Sequence, residues 1–108
     1  MKEIKITEGT KGVVIFAESQ DFEHDDWIIL VSHVTPSPED GAFRIERYAS
    51  YCTKDAVSYA DTETGWWGSS NDNYKFYLAT DEQKRTIINV LRKNKLKYIS
   101  VLNKVIRI

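Results

Sequence analysis

The chain has 108 residues, 42% of them apolar and 29% charged, and carries a net charge of −1. That length suits one domain able to bury roughly two thirds of its unfolded surface, and the composition excludes a disordered chain. The single cysteine excludes an internal disulfide and a cysteine-rich zinc site, and the longest strongly apolar run, WIILV, is far short of the ~20 residues that cross a bilayer.

The opening stretch, MKEIKITEGTKG, has no apolar h-region and so suggests no secretory leader; the expectation is a soluble protein of a reducing cytoplasm. KGVVIFAE (11–18) is apolar and β-branched, which predicts a strand. SQDFEHDD (19–26) suits an exposed turn, and DWIILVSHV (26–34) a strand buried on both faces, so the two strands should form a hairpin around an acidic loop. TPSPEDG (35–41), with two prolines and a glycine, reads as a loop.

AFRIERYASYC (42–52) alternates. Phe43, Ile45, Ala49 and Tyr51 fall on one face, and Arg47 interrupts it, so its head should reach water at a rim. DAVSYAD (55–61) predicts a weak strand, ETGWWGSSNDN (63–73) a loop, and YKFYLA (74–79) a strand. TDEQKRTIINVLRKNK (80–95) is a helix, opened by a Thr80/Gln83 capping box and closed by a left-handed turn at Asn94. Its apolar stripe is Ile87, Ile88, Val90 and Leu91. LKYISVLNKVIRI reads as two short strands with a turn near Ser100–Asn103.

Read in that order, VVIFAE, QDFEHDD, Trp27, Ser32-His33, YASYC, GWWGSSND, YKFY, ATDEQKR and the terminal hairpin form a pattern. It resembles a family of small uncharacterised proteins from gut Bacteroides-type bacteria and their phages. The resemblance covers roughly residues 13–108 and rests on order and spacing. It implies a phage or mobile-element context and no activity. The chain departs from the family in carrying tryptophans where smaller aliphatics are expected, and in lacking Ile-Pro after the cysteine.

The candidate chemistry is sparse. Asp21, Glu23 and Asp25 alternate as cation ligands do, yet the Gly and Glu of a calcium loop are replaced by Asp26 and Ser32, so a solvated turn is the better reading. Ser32 and His33 are adjacent on a strand and should point to opposite faces, which denies them a nucleophile–base pairing. His33 with Cys52 has no supporting motif, and no phosphate-binding glycine loop, metal-binding histidine pair or cofactor motif occurs. No enzyme is expected.

Two binding candidates remain. Trp66 and Trp67 stand between Gly65 and Gly68, which would permit tight turns on either side. If the backbone there is extended, one indole plugs the core, contributing about 1.5–3 kcal/mol, and the other points outward, which leaves two readings: a plug alone, or a plug with a partner contact beside it. The second candidate is charge. Residues 1–83 hold all 16 acids and 7 bases, whereas residues 84–108 hold the other 8 bases and no acid. Arg85, Arg92, Lys93, Lys95 and Lys97 are therefore candidate polyanion contacts, although a pI near 6.1 weighs against nucleic acid.

The expectation from sequence is one α+β domain over residues 1–108. A mainly antiparallel curved sheet or small open barrel carries one C-terminal helix and then a short hairpin. Its core should hold Val14, Phe16, Ile28, Leu30, Phe43, Ile45, Phe76, Leu78, Ile87, Ile88 and Leu91. The favoured function is a non-enzymatic interaction protein that contacts a protein partner or itself through the Trp66/Trp67 loop or a sheet edge. The alternative is a nucleic-acid accessory protein using the basic C-terminal quarter. No membrane role and no cofactor are expected.

Overall fold

The computed structural model describes residues 2–38 and 41–108; Met1 and the Glu39–Asp40 part of the proline loop lie outside the described residues. In chain order the elements are β1 (Glu3–Ile4), β2 (Val13–Ser19), β3 (Trp27–Pro36), β4 (Phe43–Cys52), β5 (Ser58–Ser69), β6 (Tyr74–Leu78), α1 (Asp81–Lys93), β7 (Leu96–Ile99), a 3-10 turn (Ser100–Leu102) and β8 (Lys104–Arg107). Six strands form one sheet in the order β1-β6-β2-β3-β4-β5, and β7 and β8 form a separate hairpin after the helix. The pairings are antiparallel throughout, including the foreseen β2–β3 hairpin across the acidic turn. The fold is α+β, with a curved sheet that does not close into a barrel. Strand β1 was not foreseen, because two residues carry no periodic signal.

The curl of the sheet follows from distances. In sheet order β6 and β5 are four steps apart, ~19 Å if the sheet were flat. Yet the Trp67 ring of β5 lies 5.1 Å from the Tyr74 ring and 6.2 Å from the Phe76 ring, both on β6. The face carrying these rings must therefore be concave. It encloses Ile15, Ala17, Ile29, Val31, Val34, Ile45 and Phe76. The convex face buries Phe16, Ile28, Leu30, Tyr48 and Ala49 beneath Ile87 and Leu91 of α1 and Leu96 and Val105 of the hairpin. There are thus two hydrophobic clusters, one on each side of the sheet.

Irregular register makes the curl possible. The β3–β4 ladder shifts between Leu30 and Val31 and between Val31 and His33; the β4–β5 ladder shifts between Ile45 and Glu46 and between Arg47 and Ala49. Bulges bend a strand and increase its local twist. They also flip which side chains face which way, and this corrects the regular alternation expected for β4. Phe43 and Ile45 belong to the concave cluster, whereas Ala49 and Tyr51 belong to the convex one.

The expected core is also corrected at its margins. Val14 and Phe43 are only half-buried, while Leu78 and Ile88 are 37% and 44% exposed. Leu78 is the last residue of β6, and Ile88 flanks a helical stripe whose buried residues are Ile87, Val90 and Leu91. The helix begins as expected, with the reciprocal Thr80/Gln83 capping box. It ends differently: Asn94 has φ −96°, and Lys95 takes the left-handed conformation at φ 57°.

The terminal hairpin is fastened to the bulge in β3 by Asn103. Its Nδ2 donates to the Ser32 carbonyl at 2.7 Å, its Oδ1 accepts from the Tyr98 hydroxyl at 3.0 Å, and its own carbonyl accepts from the Tyr48 hydroxyl at 2.8 Å. Asn103 itself is left-handed, φ 46°, a conformation Asn tolerates better than most residues. The Tyr98 hydroxyl closes against Gly12, where an added Cβ would stand 3.0 Å away.

Candidate functional site

Residues 63–73 are not a loop. Strand β5 runs unbroken to Ser69, and only the turn after it is irregular. The two glycines misled the reading because neither is there for a turn: the positive-φ glycines are Gly12 and Gly41. Gly65 and Gly68 instead allow close approach. A Cβ on Gly65 would lie 3.2 Å from Nη1 of Arg47, and one on Gly68 would lie 3.0 Å from Oδ2 of Asp72.

Because the strand continues, the indoles diverge. Trp67 turns into the concave face, edge-on to Trp27 at 6.4 Å and 76°, and packs on Tyr74 and Phe76. Trp66 turns outward on the edge strand and is 57% exposed. The Arg44 guanidinium stands 5.6 Å over its ring, and Arg44 Nε lies 3.3 Å from a Glu46 carboxylate oxygen. Trp66, Arg44, Ser37 and Ser69 line a shallow depression of about 300 Å³.

Arg47 sits at a mouth of the curled sheet, near a rim as expected, but its head is held by neighbours rather than free in water. Its Nε donates to Ser50 Oγ at 2.8 Å and its Nη1 to the Trp66 carbonyl at 2.6 Å, and its guanidinium stacks 4.1 Å from the Tyr59 ring. Burial pulls its pKa down from the usual arginine value, partly opposed by Tyr59 and Glu46.

The acidic turn is held together by its own carboxylates. Asp21 Oδ1 accepts from the backbone N–H of Glu23 and of His24, both at 3.0 Å, and lies 2.9 Å from Nδ1 of His24. Asp21 Oδ2 accepts from Asn73 at 3.0 Å, joining this turn to the one between β5 and β6. The His24 ring is the main reason that Asp21 titrates well below the usual carboxylate range. Asp21 likewise raises His24, with smaller contributions from Glu23 and Asp72.

Between these two turns, at one mouth of the curled sheet, opens a cleft of about 400 Å³. Its aromatic wall is Trp27, Trp67 and Tyr74, drawn from β3, β5 and β6; Glu23, Asp25 and Asp72 supply carboxylates, and His24, Arg47 and Ser50 complete the lining. Burial and the nearby Asp72, Asp21 and Asp25 push the Tyr74 hydroxyl up to about 12. The sequence reading recognised Trp67 but missed Trp27 and Tyr74 as its companions, since they lie far apart in the chain.

Other constellations resolve as structure. Ser32 and His33 do touch, against expectation, with Oγ 2.9 Å from Nδ1, because the bulge rotates Ser32 out of strict alternation. Ser32 Oγ also donates to the Glu46 carbonyl at 3.1 Å, which uses its one proton, so it accepts from the ring. With the serine only 1% exposed, this is a structural bond rather than an activated nucleophile. His33 is ~20 Å along β3 from the residue opposite Cys52, so those two do not meet. Asp25, Cys52 and Asp55 bring potential ligand atoms within 4.8 Å of one another, but Cys52 is 1% exposed, burial raises its thiol pKa, and its Sγ–H donates to Asp25 at 3.7 Å.

The basic residues are dispersed over the helix and hairpin. Arg85 bends back to the Asp81 carbonyl at 3.5 Å. Arg92 and Lys97 flank a groove floored by Leu91 and Leu96, whereas Lys93 lines a different one beside Tyr51 and Ala56. Lys95 is exposed at the end of the helix. Among the described residues none of these five cations has a carboxylate partner within 4.0 Å.

Among the described residues no helix is long and apolar enough to cross a membrane. Comparison with protein-family models, with curated proteins and with solved structures gave no match.

Proposed function

We propose that this chain is a non-enzymatic interaction protein, in the phage or mobile-element setting that its sequence resemblance implies, which contacts a protein partner through the outer face of β5 around Trp66. The supporting observation is the 57% exposed indole on the edge strand, held under the Arg44 guanidinium. Exposed Trp and Arg are the side chains most often found to dominate binding energy, and here the cation–ring contact fixes both before a partner arrives. The neighbouring strand edge offers main-chain groups for strand addition.

The test is affinity capture from the native host with wild-type protein and Trp66→Ala, followed by mass spectrometry. A partner retained by the first and lost by the second, with unchanged thermal stability, supports the reading. Identical captured sets sink it. Light scattering at two concentrations identifies the case in which the partner is a second copy.

A second reading is a polyanion contact through Arg85, Arg92, Lys93, Lys95 and Lys97. It is favoured by their lack of carboxylate partners among the described residues. Retention on heparin that is lost between low and moderate salt supports it, and indifference to heparin removes it.

A further inference from the structure

We propose that the cleft between the acidic turn and the β5–β6 turn binds an alkylammonium group, seated against Trp27, Trp67 and Tyr74 and neutralised by Glu23, Asp25 and Asp72. This site is separate from the Trp66 face, since Trp66 and Trp67 point to opposite sides of β5.

Ring geometry selects the class of ligand. Trp27 and Trp67 are inclined at 76°, and Trp67 and Tyr74 at 56°. Trp67 is tilted against both of its neighbours, so the wall bends into a corner rather than the flat platform on which a sugar or a nucleobase stacks. A corner of π-faces concentrates negative quadrupole potential on a compact group, and a substituted ammonium has the shape and charge to fill it.

Charge agrees with shape. Three carboxylates line the cleft against one permanent cation, Arg47. Arg47 is already engaged by Ser50, the Trp66 carbonyl and the Tyr59 ring. His24, also in the lining, is bonded to Asp21. Lys54 stands 3.8 Å from Asp25 but is 77% exposed, a weak internal competitor. The Glu23 carboxylate acts on His24 only through its charge and, among the described residues, makes no ion pair within 4.0 Å. The Tyr74 hydroxyl is raised first by its burial and then by the charge of Asp72, Asp21 and Asp25.

A bare metal ion fits less well, because three of the nine lining residues are Trp or Tyr and, among the described residues, Glu23, Asp25 and Asp72 do not gather their oxygens within 4.8 Å of one another.

The experiment is calorimetry, with tryptophan fluorescence as a parallel readout, on the full chain. The probes are choline, its uncharged carbon isostere 3,3-dimethyl-1-butanol, N-acetyl-trimethyllysine methylamide, and acetate. The expected result is saturable binding of choline or the trimethyllysine compound at about 1 mM or tighter, with the isostere weaker by about tenfold or more. The tighter of the two cations then tells whether the group arrives on a small molecule or on a peptide side chain. Glu23→Gln, an exposed substitution that leaves the core intact, should weaken the cation about threefold or more, and Trp27→Leu should weaken it further. Equal binding of the isostere, tighter binding of acetate, or no saturation of either cation by about 10 mM overturns the proposal.

Discussion

Replacing Asn103 by alanine tests how the hairpin is held to the sheet. The change deletes the donor to the Ser32 carbonyl and the acceptor of the Tyr98 hydroxyl, and leaves the left-handed φ of 46° to a residue that disfavours it. Each lost hydrogen bond costs about 1 kcal/mol, more where a buried group is left alone, as the carbonyl of Ser32 would be. The left-handed backbone adds about 1 kcal/mol. The expected loss is therefore about 3 kcal/mol, which in a domain of this size lowers Tm by about 12 °C. Asn103→Gly removes the same bonds but accepts the backbone, and should recover about 0.5–1 kcal/mol relative to alanine. Urea unfolding followed by tryptophan fluorescence measures both, with an unchanged m-value expected. A loss below about 1 kcal/mol for alanine, or glycine no better than alanine, would refute the clamp.

Three further outcomes are expected. Trp67→Ala should cost about 2–3 kcal/mol because it uncovers the concave cluster against which the half-buried indole packs, whereas Trp66→Ala should cost less than about 1 kcal/mol; equal losses in urea unfolding would contradict the opposed orientations. His24 is raised by Asp21, so its contribution is full below its unfolded pKa of about 6.5 and fades as pH rises through the folded value. Asp21 is depressed, so its contribution is present above about 3.9 and fades as pH falls through the folded value; the turn is tightest between those limits. An NMR titration of the His24 ring should show a midpoint above about 6.5 that Asp21→Asn lowers, and a midpoint at or below it counts against the pairing. Buried Cys52, its thiol pushed up by burial, should react with a disulfide reagent at least about a hundredfold more slowly in the native protein than in urea, and comparable rates would show the site to be open.

Much of the architecture was legible because its signals are local. The capping box at Thr80 and Gln83, the acid-to-base polarity of α1 and the apolar runs of β2 and β3 each depend on neighbours within a few residues. The errors occur where distant groups decide. Gly65 and Gly68 look like loop residues, yet they are glycine to make room for Arg47 and Asp72. Ser32 and His33 look divergent on a regular strand, yet a bulge turns them together.

The candidate sites divide in the same way. The tryptophan pair was visible from sequence, together with the rule that adjacent strand residues face opposite ways. Which indole was outermost was not, because that depends on the side toward which the sheet curls. The aromatic corner was invisible, since Trp27, Trp67 and Tyr74 share no spacing and meet only when β5 folds back toward β6.

By itself the sequence determined β2, β3, β4, β6 and the helix as elements, and the antiparallel β2–β3 hairpin, because short-range periodicity, caps and turn residues act within a turn or two of backbone. Only the tertiary structure decided the two-sided core, the inward Trp67 and outward Trp66, and the acid-rimmed cleft. Those depend on bulges that reset side-chain direction and on a curvature that brings strands four places apart into contact.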